Sequence, residues 1–332
     1  MPAESFNAIV LNKEDGKIRA AVQQMQPSQL PEGDVLVRVS YSTVNYKDGL
    51  ALTGSPGVIR NFPMIPGIDF SGVVEESTSD EFQPGDEVLL TGWGVGERHF
   101  GGLSQYARVK AGWLMPVPQG LDQKRAMAIG TAGFTAMECV MALEAHGLRP
   151  GGREVVVTGA AGGVGSVAVA ILSTLGYKVV ASTGRESMHD YLRSLGAADI
   201  IGRGVLSAAS PKPMEAERWG GAVDTVGGDT LAGLIRTMAY GAGIAACGLA
   251  GGTALNSTVF PFILRGVALL GVESVMVPKE IRTNIWARLA SDLPLDKLDS
   301  MIDVVSLEGA ISVAPEILKG NVKGRTVVDV TA

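Results

Sequence analysis

A stretch of 23 residues from Val155 to Tyr177 contains no charged side chain, and glycines stand at positions 159, 162, 163, 165 and 176. Its length would suffice to span a membrane. A single helix is nevertheless unfavourable, because each glycine costs a helix roughly 1 kcal/mol. The β-branched start, Val155–Val157, favours a strand. The pattern therefore predicts a strand, a glycine turn and a helix that ends near Gly176, followed by a second strand.

The glycine turn has the residue types that bind a pyrophosphate. At a helix N-terminus, unpaired N–H groups and the helix dipole favour an anion, and a Cβ in the turn would keep the phosphates away. The dinucleotide-binding motif G-x-G-x-x-G aligns as Ala160-x-Gly162-x-x-Gly165, with alanine in place of the first glycine. The strand–turn–helix context makes this match specific, and a βαβ unit without a ligand is the alternative. The residues predicted to bind the dinucleotide are Ala161, Gly162, Gly163, Val164 and Gly165.

The end of the second strand indicates which dinucleotide binds. An NAD site carries Asp or Glu about 20 residues after the glycines, where it holds the ribose 2′-OH. Here Ser182 and Thr183 end the strand and Arg185 follows, with no acid before Glu186. Two hydroxyls and a guanidinium suit a 2′-phosphate. We therefore predict NADP(H), bound through Ser182, Thr183 and Arg185; the alternative for Arg185 is a solvated loop charge.

A second polar cluster, Asn45-Tyr46-Lys47-Asp48, directly follows a strand pattern. Four polar groups with different roles in one turn suit catalysis, and we take Tyr46, Asn45 and Asp48 as candidate catalytic residues. The alternatives are structural. Asn45 and Asp48 would then cap the next helix, and Tyr46 would be a core aromatic with a satisfied hydroxyl.

The elements that position these residues fall into two classes. In the central part, β-branched runs alternate with helical stretches, which predicts an α/β fold with a doubly wound parallel sheet. Ligands bind such sheets at the carboxyl ends of the strands, so we expect the loops 227–228 and 249–252 beside the cofactor, with ordinary tight turns as the alternative. The predicted strands lie in the runs EVVVTG, YKVVAST, ADII, GAVDTVGG, GIAACGLAGG and VALLGVESV.

The first 120 residues predict a β-rich region, because short apolar runs there are bounded by Gly and Pro. The run Gly324–Val330 is another strand pattern, and we expect it to return to this region. The predicted domains are therefore 1–122 with 277–332, and the nucleotide domain 123–276.

Composition excludes several function classes. Of 332 residues, 46% are hydrophobic and 19% charged, a balance typical of soluble globular proteins. The net charge of −6 gives no reason to expect nucleic-acid binding. Two cysteines and three scattered histidines predict neither a disulfide framework nor a metal site. The N-terminus lacks a signal-peptide pattern, so we expect a cytoplasmic protein that does not bind a membrane.

Several strings resemble the medium-chain dehydrogenase/reductase superfamily over essentially the whole chain. The residues that carry this resemblance include NYKDGLALTG, RNFPMIPGIDFSG, GAAGGVGS, STGRES and CGLAGG. More narrowly they resemble its zinc-free, quinone oxidoreductase-like YhdH/AcuI branch. That branch implies a Rossmann domain, a GroES-like catalytic domain and an NADPH-dependent acryloyl-CoA reductase. Zinc-dependent members carry Gly-His-Glu where this chain has Gly67-Ile68-Asp69, so the resemblance implies catalysis without metal.

The resemblance also implies roles for individual residues. It places the Asn45–Asp48 turn against the nicotinamide, with Tyr46 as contact and proton donor and with Asn45 and Asp48 orienting it or the substrate. Arg325 would meet an anionic acyl-CoA substrate, with a structural salt bridge as the alternative. Long apolar sixth strands pair across a dimer in this superfamily, so we expect a homodimer. The further cofactor contacts implied are Arg203, Leu249, Ile263, Ser274 and Asn321. Arg203 would reach the adenosine phosphate, with a surface charge as the alternative. Hydropathy alone would assign Leu249 and Ile263 to the core.

Three functions remain open at this point. Hydride addition to the β-carbon of acryloyl-CoA, followed by protonation of the α-carbon, would give propionyl-CoA. Reduction of quinones or small enones needs the same cofactor. A non-catalytic NADPH-binding protein is the third hypothesis, and it would consume no NADPH with any acceptor.

Overall fold

A computed structural model describes residues 4–332 and forms fifteen β-strands and ten α-helices within that range. The strands are β1 (Phe6–Glu14), β2 (Lys17–Met25), β3 (Val35–Val44), β4 (Asp69–Ser77), β5 (Glu87–Thr91), β6 (Tyr106–Val109), β7 (Met115–Pro116), β8 (Val155–Val157), β9 (Val179–Thr183), β10 (Asp199–Gly202), β11 (Trp219–Asp224), β12 (Met238–Ala246), β13 (Ala268–Gly271), β14 (Ile302–Val305) and β15 (Arg325–Asp329). The helices are α1 (Tyr46–Leu52), α2 (Gln123–Ala145), α3 (Gly163–Thr174), α4 (His189–Leu195), α5 (Gly204–Ser207), α6 (Gly228–Thr237), α7 (Phe260–Arg265), α8 (Lys279–Asp292), α9 (Leu295–Ser300) and α10 (Leu307–Leu318).

The chain divides into two compact units. The first unit holds the residues up to Thr131 together with 275–290 and 298–332, and the second holds 132–274 and 291–297. The predicted boundary after residue 122 falls at the start of α2, whereas the units divide inside this helix. There Gly130 (φ 48°, ψ −157°) interrupts the helical backbone. Residues 1–3 of the predicted first domain lie outside the described range.

The second unit contains the predicted doubly wound sheet. Its six strands are all parallel, in the order β10-β9-β8-β11-β12-β13. The strands β8 and β9 are almost fully buried, as the continuous β-branched runs of a sheet covered on both faces require. The α/β class and the parallel sheet are therefore confirmed.

The sixth strand is shorter than its sequence pattern predicts. The run VALLGVESV suggests a long strand, but β13 ends at Gly271 after four residues. Among residues 4–332, β13 pairs with β12 alone and is the edge strand. The chain then leaves the sheet, and Val275 belongs to the first unit, where its carbonyl accepts the N–H of Trp93 at 2.9 Å.

The first unit is the predicted β-rich region. Its main sheet has the order β14-β15-β3-β4-β5-β7, with β6 also on β3, and β1 and β2 form a separate hairpin. The strand β15 pairs antiparallel with β3, so the C-terminal run returns to this region as predicted. In that register Thr326 faces Val44, while Phe70 of β4 faces Ser42. The start of β15, the end of β3 and the start of β4 therefore meet at one place in the sheet.

Within residues 4–332, one helix is long and apolar enough to cross a membrane by length and composition. It is α2, and 78% of its most apolar window is buried inside the protein. The core helix of a globular protein has the same properties, so α2 is weak evidence for a membrane span. The stretch Val155–Tyr177 forms a strand, a turn and a helix instead of one continuous helix.

Candidate functional site

The glycine turn after β8 leads directly into the N-terminus of α3. The helix begins at Gly163, and its N-cap Gly162 is extended and offers no capping side chain. The N–H groups of a helix's first turn have no partner within the helix and point out of its end. A Cβ at Gly162 would meet the carbonyl oxygen of Gly159 at 3.3 Å. The turn therefore exposes bare backbone, and its residues fit the pyrophosphate of a dinucleotide.

Two further glycines of this turn are required by close packing. Gly159 has φ +57°, which disfavours any side chain, and a Cβ there would lie 2.3 Å from Oγ1 of Thr225. A Cβ at Gly165 would lie 2.4 Å from the Gly159 carbonyl oxygen. The first turn of α3 thus packs directly on the end of β8. This agrees with the role of the third glycine of the motif, which permits close helix–strand packing.

A buried carboxylate at the end of β11 supports the same edge of the sheet, and sequence reasoning missed it. Asp224 accepts hydrogen bonds from Oγ1 of Thr158 at 2.6 Å and from the N–H of Gly227 at 2.9 Å. Burial raises the pKa of Asp224, and these hydrogen bonds oppose the rise. Asp224 thereby links the loops that follow β8 and β11. An acidic residue at the end of an otherwise apolar strand run was the available signal.

The two predicted glycine loops meet at the carboxyl edge of the sheet. Gly227 and Gly252 form an isolated β-bridge, and Gly251 donates its N–H to the Val226 carbonyl at 2.7 Å. Gly227 and Gly228 both have positive φ, 71° and 53°. The loops 227–228 and 249–252 therefore stand beside each other where a nucleotide bound at this edge would lie.

The end of β9 brings together the groups predicted to bind a 2′-phosphate. Ser182 and Thr183 are buried at the strand end, and Oγ1 of Thr183 accepts the N–H of Arg185 at 3.2 Å. Arg203 follows β10 and lies over the same strand end, because a Cβ at Gly184 would be 2.9 Å from its Cδ. Partial burial lowers the pKa of Arg185, a guanidinium that stays charged at neutral pH. Two guanidinium groups thus flank one strand end.

The remaining predicted cofactor contacts are spread over both units. Leu249 and Ile263 are 56% and 68% exposed, so the core assignment that hydropathy suggests is wrong for both. Ser274 is half-buried at the last position of the second unit's long segment. Asn321 belongs to the first unit, where its Nδ2 donates to Oε2 of Glu316 at 2.7 Å. Their contacts with a cofactor stay predictions.

The candidate catalytic turn lies in the first unit, between β3 and α1. Tyr46 is the first residue of α1 and is 38% exposed, so it is not the core aromatic of the structural alternative. Lys47 forms an ion pair with Glu97. Asn45 and Asp48 are buried, and Oδ2 of Asp48 accepts the N–H of Asn45 at 2.8 Å. The capping alternative for Asp48 is thus observed, while Tyr46 has the exposure that a contact with a ligand needs.

Asp48 is a buried carboxyl with an unusual proton affinity. Its Oδ1 accepts the N–H of Ile68 at 3.0 Å. The pKa of Asp48 is raised to about 7, chiefly by burial; the Asp69 carboxylate adds to the rise, and the N–H groups of Asn45 and Ile68 oppose it. Near neutral pH the buried side chain therefore exchanges a proton beside the candidate catalytic turn.

Asp69, the first residue of β4, is a second fully buried carboxylate. Its Oδ2 accepts three hydrogen bonds of 2.8–2.9 Å, and its Oδ1 accepts the hydroxyl of Thr131. These bonds compensate the loss of hydration. Sequence reasoning noted Asp69 only as part of the stretch Gly67-Ile68-Asp69, which lacks the histidine of the zinc-dependent members, and missed this role. The donors to Oδ2 are Oγ1 of Thr43, Nδ2 of Asn45 and the N–H of Thr131.

Arg325 completes this cluster at the start of β15. It is 2% exposed, and it donates from Nε to the Ala128 carbonyl at 2.7 Å and from Nη1 to Oδ1 of Asn45 at 3.1 Å. Burial lowers the pKa of Arg325, and the charges of Asp69 and Asp48 oppose this. Both of these hydrogen bonds end on neutral oxygens and not on the carboxylate that the salt-bridge alternative requires, and a direct contact between Arg325 and a substrate stays a prediction.

Two further observations concern a histidine and the possibility of a metal site. His99 is a half-buried loop residue whose Nε2 lies 2.7 Å from the Arg108 carbonyl oxygen, and burial lowers the pKa of its imidazole. Among residues 4–332, no group of three or more His, Cys, Asp or Glu side chains is arranged to hold a metal ion.

Both units have counterparts among known proteins. The family model described as alcohol dehydrogenase GroES-like domain matches residues 31–119, and the one described as zinc-binding dehydrogenase matches residues 163–291. The chain is 56% identical to acrylyl-CoA reductase AcuI of Ruegeria pomeroyi, covering 98% of this chain and 100% of that protein. It is 44% identical to the putative quinone oxidoreductase YhfP of Bacillus subtilis, covering 97% and 98%.

A solved structure is similarly close. The yhdH oxidoreductase from Salmonella enterica in complex with NADP is 55% identical, with a TM-score of 0.95 over 98% of this chain and 99% of that one. The resemblance therefore extends over nearly the whole length of each protein and over both units.

Proposed function

The chain belongs to the medium-chain dehydrogenase/reductase superfamily, and we propose that it reduces the C=C bond of acryloyl-CoA to give propionyl-CoA, with NADPH as reductant. The observation that carries this proposal is the 56% identity to an acrylyl-CoA reductase over 98% of the chain. Identity at that level over the full length supports a shared substrate class more strongly than a shared fold does.

The choice of NADP(H) rests on the residues at the end of β9. Arg185 and Arg203 flank the strand end that carries Ser182 and Thr183, and the acid that an NAD site would carry is replaced by these hydroxyls. A guanidinium pair suits a phosphate dianion. The relative solved with NADP bound supports the same cofactor.

The reduction needs a hydride and a proton. A dinucleotide held at the glycine turn and by Ser182, Thr183 and Arg185 would supply the hydride for the β-carbon, and the electron pair of the former double bond would then lie on the α-carbon and the thioester oxygen. A hydrogen-bond donor at that oxygen stabilises the charge. We assign to Tyr46 the transfer of its phenolic proton to the α-carbon. Its partial exposure to solvent allows the phenolate to be reprotonated.

A direct test is the oxidation of NADPH, followed at 340 nm, with acryloyl-CoA, benzoquinone and a simple enone as parallel acceptors. We expect the highest kcat/KM with acryloyl-CoA. A higher kcat/KM with the quinone would replace this proposal with the alternative below. No consumption with any acceptor would mean that the protein binds NADPH without catalysis.

The role of Tyr46 is tested by Tyr46→Phe. Loss of the phenolic proton should lower kcat with acryloyl-CoA by about 100-fold, within the usual range for general acid catalysis. The dissociation constant of NADPH, measured by fluorescence titration, should change by less than about threefold, since the ring is kept. An unchanged kcat would remove Tyr46 as the proton donor.

The reaction is proposed to need no metal. Ile68 stands where the zinc-dependent members carry a histidine, and both carboxylate oxygens of the next residue, Asp69, already accept hydrogen bonds within the protein. We expect metal analysis of the purified protein to find no stoichiometric zinc. One zinc per chain that is lost together with activity would overturn this part of the proposal.

We further propose a cytoplasmic homodimer that binds neither nucleic acid nor membrane. The segment from 249 to 269, which leads into the edge strand β13, presents seven large, exposed apolar side chains, and a second copy of the chain would cover them. These side chains are Leu249, Leu255, Val259, Phe260, Ile263, Leu264 and Leu269.

Quinone reduction is the second candidate function. The observation that favours it is the 44% identity to a putative quinone oxidoreductase over 97% of the chain. Quinone reduction needs the same cofactor, but its substrate has no CoA moiety. The parallel acceptors in the assay above separate the two functions.

A further inference from the structure

Arg325 is placed to control the conformation of a neighbouring side chain. The residue starts β15, its side chain is buried, and its own N–H donates to the Met301 carbonyl at 2.9 Å. The two bonds from its guanidinium run to oxygens of Ala128 and Asn45. A guanidinium is planar and rigid, so two bonds of this kind define the direction of both acceptors.

The guanidinium fixes the orientation of the Asn45 amide. Oδ1 of Asn45 faces Arg325, which has only donors, and Nδ2 faces Oδ2 of Asp69 at 2.8 Å. Nδ2 also donates to Oγ1 of Thr43 at 2.8 Å. A flipped amide would set donor against donor and acceptor against acceptor, so a single orientation is possible.

Asn45 in turn positions the start of α1. Its N–H donates to Asp48, and its carbonyl oxygen accepts the N–H of Gly49 at 3.0 Å, the first helical bond. Tyr46 is the next residue in the chain. A continuous line of hydrogen bonds and peptide bonds therefore joins Arg325 to Tyr46 through Asn45.

Stability alone is a weak reason for a buried guanidinium at this position. Buried charged groups lose hydration, and their replacement by apolar residues of similar volume is often neutral or stabilising. Nη2 of Arg325 is buried, and no hydrogen-bond partner for it is found among the described residues. It faces the interrupted part of α2, where a Cβ on Gly130 would lie 2.9 Å from Nη2 and 2.6 Å from Oδ2 of Asp69. Within the described residues, the buried guanidinium of Arg325 therefore keeps one unsatisfied donor group. This suits a role in positioning neighbouring side chains better than a role in stability.

We propose that Arg325 is a positioning residue of the reduction: it holds the Asn45 amide and thereby the turn from which Tyr46 donates its proton. This inference rests on the proposed function. It replaces a direct contact between Arg325 and the substrate with an indirect action through Asn45.

The test combines Arg325→Lys with Tyr46→Phe in a double-mutant cycle. Lysine keeps the positive charge and loses the planar pair of donors. We expect Arg325→Lys alone to lower kcat at least tenfold while the dissociation constant of NADPH stays within about twofold. In the Tyr46→Phe background, Arg325→Lys should then lower kcat by no more than about twofold further, because the phenol through which it acts is already absent. Independent, multiplying effects of the two changes would overturn the proposal.

A second readout does not depend on turnover. Hydrogen exchange at the amides of α1 should become at least tenfold faster in Arg325→Lys, and exchange in β4 should change little. Unchanged exchange in α1 would overturn the proposal even if kcat fell. If the wild-type protein fails to reduce acryloyl-CoA, the proposed function fails, and the exchange experiment still decides whether Arg325 positions α1.

Arg282→Lys is the matched control, since Arg282 is a second fully buried arginine of the first unit. It donates to backbone oxygens of Thr91, Val275 and Val277. We expect it to lower the melting temperature and to leave both exchange in α1 and the full effect of Tyr46→Phe unchanged. If Arg282→Lys and Tyr46→Phe showed the same non-additive effect on kcat, any buried arginine of this unit would act in this way. That result would overturn a specific role for Arg325.

Discussion

Arg185 and Arg203 flank the end of β9. The local sequence predicts the position of Arg185 at this strand end but not that of Arg203. Arg185 follows the strand directly, so the rule for the residues after a nucleotide-binding strand predicts it. Arg203 comes after the next strand and reaches Gly184 only because β10 pairs in parallel with β9. A phosphate bound there would meet one charge from each loop.

Replacement of Arg185 by Ala tests this arrangement. The variant loses one charge-assisted hydrogen bond to the 2′-phosphate, a loss of about 1.5–3 kcal/mol, so NADPH should bind at least about tenfold more weakly. NADH lacks that phosphate, and its affinity should change little. Titration of both cofactors against the variant, with Lys212→Ala as a surface-charge control, gives the comparison. An equal loss of affinity for the two cofactors would contradict a role for Arg185 at the phosphate.

The buried carboxyl of Asp48 gives the stability of the protein a defined pH dependence. Its pKa is about 7 in the folded protein and near 3.8 in the unfolded chain. Between these values the folded state binds more protons than the unfolded state, so this contribution to stability is complete below about pH 4 and is lost as the pH rises to 7.

Relative to Asp48→Asn, we therefore expect the wild-type free energy of unfolding to fall by at most about 1.4 kcal/mol per pH unit between pH 4 and 7, and to level off above pH 7. Denaturant unfolding of both proteins at each pH measures the difference. Asp80→Asn, which changes an exposed carboxyl of the same unit, is the control. A difference that is constant or rises with pH would contradict the raised pKa.

At the scale of elements, β8 and α3 form the part of the protein that its local sequence predicts best. The strand is β-branched, the turn is glycine, and the helix is built from small and apolar residues. Each of these preferences acts over a few residues. The glycines differ in how tightly they pack, because a Cβ at Gly159 or Gly165 would lie 2.3 or 2.4 Å from a neighbouring atom, whereas a Cβ at Gly162 would lie 3.3 Å from the Gly159 carbonyl oxygen.

Gly162→Ala tests whether this glycine is needed for cofactor binding or for folding. Gly162 has an extended backbone (φ −83°, ψ 179°) that any residue adopts, so the variant should fold with a melting temperature close to that of the wild type. The added methyl group would lie 3.3 Å from the Gly159 carbonyl oxygen and disturb the turn that is proposed to bind the pyrophosphate, so NADPH should bind at least about tenfold more weakly. Gly152→Ala, in a loop before β8, is the control. Unchanged NADPH affinity in Gly162→Ala would place the phosphates elsewhere.

At the scale of the whole molecule, the exposed apolar side chains between 249 and 269 support the proposed homodimer. Isolated exposed apolar residues are common, but seven within about twenty positions that lead into an edge strand are not. Two of them, Leu249 and Ile263, are also predicted cofactor contacts. The pattern therefore supports both a bound nucleotide and a second subunit in this region.

The proposed homodimer predicts a mass of twice 34.5 kDa in solution. The double variant Phe260→Glu with Leu269→Lys places charges on α7 and on the edge strand β13, and it should shift the protein to the monomer in light scattering coupled to size exclusion. Val205→Lys changes an equally exposed apolar residue in α5, after the strand at the opposite sheet edge, and should leave the dimer intact. A monomeric wild-type protein would contradict the proposal.

The sequence by itself determined the class of each unit and the residues of the nucleotide turn. Strand runs, glycine turns and helix ends reflect backbone preferences and burial patterns that act between near neighbours in the chain. The same locality explains the prediction of NADP(H), because Ser182, Thr183 and Arg185 are consecutive or nearly so. It also explains why the predicted length of β13 is wrong, since an apolar run does not reveal where the chain leaves a sheet.

Only the tertiary structure decided how the groups around the candidate catalytic turn meet. Arg325 and Asn45 are 280 positions apart, and their hydrogen bond depends on the register in which β15 pairs with β3. Asp69 reaches Asn45 through the pairing of β3 with β4. Burial changes the pKa of Asp48 and removes Arg325 from the surface, and burial depends on the packing of the whole unit. No local preference encodes these contacts, because each is produced by strands that are distant in sequence and adjacent in the sheet.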